Sequence, residues 1–137
     1  MKRRKYIIMI MLLVVTVFVQ NIVLADDISL LLNNTNFTTT SFSISNTGEA
    51  GVVTDFEGYP NVTTGATITI KIEKRNLLLF WSDVVEDTVT VVGDSYYKEH
   101  YYQLENKGTY RCTVVYTIAG TGGADDVLTF EETAKYE

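Results

Sequence analysis

Asn106-Lys107-Gly108-Thr109-Tyr110-Arg111-Cys112 is the stretch on which the fold turns. It is a polar turn that runs straight into a strand. From Tyr110 onward the side chains alternate. Tyr110, Cys112, Val114, Tyr116 and Ile118 share one face, and Arg111, Thr113, Val115 and Thr117 share the other. A period of two with one apolar face is the pattern of a half-buried strand. Gly120-Thr121-Gly122-Gly123 closes it as a flexible turn, and Val127 to Phe130 begins a last strand that reaches as far as Lys135.

Upstream, the same composition persists. From Phe37 the chain is rich in Thr, Val, Ile, Tyr and Phe, which is strand composition. Ala66, Ile68, Ile70 and Ile72 face one way, with Thr67, Thr69, Lys71 and Glu73 opposite. Gly65 precedes that strand and Lys74-Arg75-Asn76 ends it as a turn. A strand is expected over Leu77–Val85, with Leu77, Leu79 and Trp81 on one face and Leu78, Phe80 and Ser82 on the other. A shorter one follows at Thr88–Val92. Phe42 and Ile44 suit one further strand and Val52 to Phe56 another. Ser95–Leu104 is ambiguous: Tyr97, Tyr101 and Leu104 align on a helix, whereas Tyr96, Lys98, His100, Tyr102 and Leu104 align on a strand. Strands at this spacing with turns between them predict a sandwich or barrel.

Leu104, Asn106, Gly108, Tyr110 and Cys112 together resemble the run that leads strand E into strand F of immunoglobulin-like domains. The resemblance implies that Tyr110 is a tyrosine corner, its hydroxyl bonded to backbone a few residues upstream. It implies strand B at Gly65–Lys74, C at Leu77–Val85, F at Gly108–Ala119 and G at Val127–Lys135. Trp81 would then be the buried strand-C tryptophan, packed against Ile70 and Cys112. Asn106 stands where the family has an acid, and Ile70 stands near the place of the strand-B cysteine. The family disulfide is therefore missing, a loss of about 3–4 kcal/mol in the chain-entropy model. The expected fold is all-β: an immunoglobulin-like antiparallel β-sandwich of about seven strands. The chain is also similar to small secreted β-sandwich proteins of Gram-positive bacteria with no assigned activity.

The N-terminus has a separate logic. Met1-Lys2-Arg3-Arg4-Lys5 is basic, Ile7 to Val19 is apolar, and Val23-Leu24-Ala25 offers a cleavage site before Asp26. This is the layout of a signal-peptide helix over residues 1–25. The rival is a retained anchor, but Gln20 and Asn21 interrupt a run that would need roughly 20 apolar residues. The polar C-terminus carries no second hydrophobic segment. Residues 26–36 form a polar lead-in, and residues 37–137 form one domain. About 112 residues remain after cleavage, enough for a core without staples. Four of the 11 Lys and Arg fall in the leader, so seven face 17 acids and the net charge becomes −10. Such a chain repels phosphate backbones, so no nucleic-acid partner is expected.

Chemistry-bearing clusters are sparse. His100 is the only histidine, and no nucleophile elbow, phosphate loop or His-Glu-x-x-His run appears. Cys112 is the only cysteine and reads as a small buried hydrophobe. No enzyme activity is expected. Asp94, Asp125 and Asp126 lie at turns where they could supply oxygen ligands to calcium, the one cofactor considered; solvated loop carboxylates are the plainer alternative. The aromatic surplus is more telling. With Trp81 inside, Leu78 and Phe80 lie on the outer face of the C, F and G sheet beside Val115, while Tyr97 and Tyr101 face out on the strand reading. Exposed apolar and aromatic groups mark contact surfaces unless a dimer or the N-terminal segment covers them. Three Asn-x-Thr sequons, at Asn33, Asn36 and Asn61, are incidental in a chain that reads as bacterial.

The sequence therefore predicts a secreted, extracellular, non-catalytic binding or adhesion module for a protein or glycan ligand, with no membrane span after cleavage. A second class is a structural or envelope-associated protein, oligomeric or cation-stabilised. A third, a small secreted effector, is weakened by the acidic charge, which opposes anionic membranes.

Overall fold

The computed structural model of the protein describes residues 32–137; the expected leader (1–25) and the first part of the lead-in lie outside the described residues. Seven strands follow in order: β1 Thr35–Ile44, β2 Glu49–Gly58, β3 Thr63–Arg75, β4 Trp81–Val92, β5 Ser95–Gln103, β6 Gly108–Gly120 and β7 Asp126–Tyr136. They form two antiparallel sheets, β1-β2-β5 and β4-β3-β6-β7. Ser95–Gln103 is a strand, with Tyr96, His100 and Tyr102 paired opposite the inward Phe56, Val52 and Ala50. No helix among the described residues is long and apolar enough to cross a membrane.

The period-two stripes build the core. Ile68, Ile70 and Ile72 of β3 lie beside Tyr116, Val114 and Cys112 of β6, and all six are buried. Phe42, Ala50, Val52 and Phe56 of the other sheet close over them. Each fully buried Ile or Phe contributes about 1.5–3 kcal/mol of transfer free energy. Polar bonds tie the sheets at both flanks. The Tyr116 hydroxyl donates to the Thr39 carbonyl at 3.1 Å and lies 2.8 Å from Thr40 Oγ1, and the Tyr102 hydroxyl donates to Asp87 at 2.9 Å. The amide of Phe42 donates to Glu132 at 3.0 Å.

The strand lettering inferred from the sequence is corrected here. β6 and β7 hold the places of F and G. The strand next to F in an immunoglobulin sheet is C, so β3 is C-like rather than B-like, and β4 is an added strand at its far edge. Thr63–Arg75 and Gly108–Gly120 therefore share one sheet instead of facing each other across the core. β4 is also one long strand rather than two, and Leu77–Phe80 is a loop.

A bulge explains the fate of Trp81. Ile72 pairs with Val85, but Glu73 pairs with Asp83, so Val84 is an extra residue on β4. An extra residue reverses the facing of everything beyond it. Val85, Val89 and Val91 point inward, and without the bulge Trp81 would too. Instead Trp81 lies on the outer face, its ring 4.5 Å from the Arg111 guanidinium. The expected Ile70, Trp81 and Cys112 cluster does not form; Ile70 and Cys112 are core residues and Trp81 is not.

The tyrosine corner does form. Tyr110 is buried and its hydroxyl donates to the Asn106 carbonyl at 2.5 Å. Gly108 makes the entry possible: at φ 149° it has no Cβ, which would lie 2.8 Å from Lys74 Cε. Leu104, also buried, seals the turn beneath. Tyr110→Phe removes only this bond and should lower stability by about 1 kcal/mol. Urea unfolding checks this through the midpoint, with the slope unchanged; a wild-type midpoint would show that the corner bond contributes nothing.

Candidate contact site at the β3–β4 hairpin tip

The turn between β3 and β4 is built by Asn76. Its side-chain oxygen accepts the amides of Leu78 and Phe80, both at 3.0 Å. Its carbonyl accepts the amide of Leu79 at 3.0 Å, and its own amide donates to the Phe80 carbonyl at 2.9 Å. Three successive amides of the loop, those of Leu78, Leu79 and Phe80, are thus turned inward on one asparagine. What it presents outward is apolar: Leu77 is fully exposed, and Leu78, Leu79 and Phe80 are 66–76% exposed. Leu79 sits at φ 67°, a left-handed conformation that glycine and asparagine adopt freely and a leucine rarely does.

The sequence singled out Leu78 and Phe80 as exposed, and they are. They lie at a loop tip, however, not on the outer face of a sheet, and Leu77 and Leu79, assigned to the inner face, are exposed with them. The signal was present: Leu-Leu-Leu-Phe is an unbroken apolar run, which does not alternate as a half-buried strand must. Val115 is on the outer face of the four-stranded sheet, paired with Thr69 and Thr129. It lies about 20 Å back from the tip at roughly 3.3 Å per residue.

Cations collect at the base of the tip. Lys74, Arg75 and Lys107 line a cleft of about 470 Å³ with Leu77 and Ser82. None of the three forms an ion pair among the described residues. Lys71 and Arg111 behave otherwise. Lys71 reaches Asp83 at 2.9 Å, and Arg111 bonds Glu73 at 2.6 Å, so their charges are spent on the sheet's outer face.

Tyr97 and Tyr101 belong to a different surface, the outer face of the three-stranded sheet. Both hydroxyls donate to Glu99, Tyr97 at 2.9 Å. These two bonds, that from Tyr101 first, lower the carboxyl's pKa against a small opposing desolvation. Leu78 and Phe80, expected beside Val115, are thus parted from it, and Tyr97 and Tyr101, expected to face out, do so on the other sheet.

The acidic residues considered for calcium do not gather. Asp94 lines a shallow cleft with Asp55 and Glu57 beside Tyr97. Asp126 is a clasp. One of its carboxylate oxygens accepts the Asn33 amide at 2.9 Å; the other accepts the Asn34 amide at 2.7 Å and the Thr35 hydroxyl at 2.9 Å. Asn34 in turn bonds the amide of Gly122 and the carbonyl of Ala124. Gly122 must lack a Cβ, which would fall 2.2 Å from the Asn33 carbonyl. The end of the polar lead-in is thus fixed against the β6–β7 loop, which the sequence presented as flexible. Among the described residues no group of three or more His, Cys, Asp or Glu could hold a metal ion. His100 is buried, its Nε2 3.0 Å from Thr54 Oγ1, and burial lowers its pKa. Burial, aided by Glu132, pushes the Cys112 thiol up to about 12, so it holds its proton.

No protein-family model and no curated protein matches the chain. Among solved structures it is similar to a CARDB domain from Pyrococcus furiosus crystallised in complex with di-metal ions. The two are 13% identical over 72% of this chain and 94% of that one, with a TM-score of 0.34. The metal ions are a property of that protein.

Two outcomes follow from the geometry. Leu79→Gly should raise stability by about 1 kcal/mol, because it removes left-handed strain at a position that is two-thirds exposed. A thermal melt checks this, and an unchanged or lower Tm would mean that no strain is held there. Asp126→Asn should destabilise the fold. Burial alone would raise this carboxyl's pKa, but the donors outweigh it and hold it below the ordinary 3.8. Its contribution is therefore complete above about pH 4 and is lost as pH falls through the lower folded value. Urea midpoints measured from pH 7 to pH 2 should converge for the two proteins at the acid end; a constant gap would refute the clasp.

Proposed function

We propose that this is a secreted, non-catalytic binding module whose contact element is the β3–β4 tip. The observation that carries the reading is the exposure of four consecutive large apolar residues, Leu77 to Phe80, on a loop whose backbone is already bonded to Asn76. Solvation of such a run is unfavourable by about 25 cal/mol per Å² of apolar surface. It adds nothing to the core, and the strained Leu79 shows that local stability did not select it. Strain held at an exposed site points to function.

The N-terminal leader pattern supports an extracellular destination. A preformed, rigid loop suits recognition because little ordering entropy remains to be lost on contact. The alternative class, a structural or envelope-associated protein, would use the same tip to contact another copy of the chain.

Phe80→Ser should leave the unfolding free energy within about 0.5 kcal/mol of wild type, since the residue is two-thirds exposed and is not among the hydrophobics packed against the core. It should also reduce retention of the labelled protein on cell-envelope material. A large loss of stability with unchanged retention would return Phe80 to the core and sink the reading. Light scattering separates the two classes: a stable oligomer at low concentration, abolished by the same substitution, favours the structural one.

A further inference from the structure

The tip has the chemistry of one kind of surface. We propose that Leu77–Phe80 insert into the interfacial layer of an anionic phospholipid bilayer, with Lys74, Arg75 and Lys107 at the level of the headgroup phosphates. The proposal rests on the reading of the tip as the contact site and names what it contacts.

Four features select lipid over a protein partner. The amides of Leu78, Leu79 and Phe80 are satisfied within the loop, which lowers the cost of moving this backbone into the poorly hydrated interfacial layer, where its carbonyls can still meet water. The four apolar side chains are exposed together instead of presenting one shaped patch, and a bilayer, unlike a pocket, imposes no shape. The tip carries three leucines and one phenylalanine. Leucine is scarce among the energetic centres of protein interfaces, whereas leucine and phenylalanine are usual on membrane-facing surfaces. Finally, the cations around the base are without carboxylate partners among the described residues, in a domain otherwise dominated by acids.

That last point also meets the objection from net charge. Screening confines the reach of a charge to about 8 Å at physiological ionic strength. Carboxylates at the far end of strands about 12 residues long, roughly 40 Å away, are invisible to a membrane touching the tip; at the near end Glu73 and Asp83 are paired with Arg111 and Lys71, which leaves Glu105 and Glu137 as the acids that the three cations must outweigh. Lys74, Arg75 and Lys107 are within reach of it. Their cleft, open beside Leu77 and Ser82, gives a headgroup phosphate a seat between cations. The side chains of Lys74 and Lys107 lie over the rings of Tyr110 and Tyr136, which hold the cations in place.

Trp81, the only tryptophan, directly follows the tip and serves as a built-in probe in the full chain. Vesicles of phosphatidylcholine and phosphatidylglycerol with brominated acyl chains should quench its fluorescence. Phosphatidylcholine vesicles alone should quench it far less, and added salt should weaken the effect. Leu77→Ser with Leu79→Ser should abolish quenching. Arg75→Gln with Lys107→Gln should weaken the apparent affinity about thirtyfold. All four positions are exposed, so circular dichroism melts should match wild type and exclude misfolding.

Trp81 emission that ignores brominated lipid, even while the protein sediments with vesicles through another segment, overturns the proposal. Equal quenching in the wild type and the Leu77/Leu79 variant does the same. If the leucine variant loses retention on lipid-free cell-wall material while Trp81 is never quenched, the lipid assignment falls and the contact site stands. If it loses neither, both fall.

Discussion

Everything in this domain depends on the burial of one stripe shared by two neighbouring strands. Ile68, Ile70 and Ile72 on β3 lie beside Tyr116, Val114 and Cys112 on β6, and the smaller sheet closes over that surface with Phe42, Val52 and Phe56. Because strand side chains alternate strictly, fixing this inner stripe also fixes what lies outside. Lys71, Glu73 and Arg111 are placed on the outer face of the same two strands, where their charges pair. No covalent link joins the sheets: Cys112 is the only cysteine, and packing with a few flanking hydrogen bonds holds them.

The bulge at Val84 is the one break in that phase, and its consequences are concentrated where the candidate site lies. It turns Trp81, the residue that directly follows the exposed Leu77–Phe80 run, out of the core and onto Arg111. Bulges commonly re-aim side chains near functional positions. Here the re-aimed residue is Trp81, the only tryptophan of the chain.

The two ends of the sandwich are opposed in character. At one end Asp126, Asn33, Asn34 and the β6–β7 loop form a closed polar clasp with its donors and acceptors matched. At the other end the Asn76 loop bonds three of its amides and leaves its apolar side chains exposed and three cations without carboxylate partners among the described residues. A domain with one closed end and one open end has a direction, and the open end is where contact with another surface would lower the free energy.

Much of this was legible in the residues. The period-two alternation in β3 and β6 placed their inner faces correctly, because alternation is a local property of the chain. The Gly108–Tyr110 corner was legible for the same reason, as was the exposure of Leu78 and Phe80. What the sequence could not decide was which strands are neighbours. β3 and β6 are joined by hydrogen bonds between residues some forty positions apart in chain order, and the inner face of a strand looks the same whichever sheet it enters. Nor could it decide the fate of Trp81, since one unpaired residue in β4 reverses a facing that spacing alone predicts. Lys107 is about thirty positions from the adjacent Lys74 and Arg75, and the three carried no joint signal until two loops met at one end. Local alternation thus determined the all-β fold and its core, while pairing and the bulge, both tertiary events, decided the tip, its cationic base and the surface it presents.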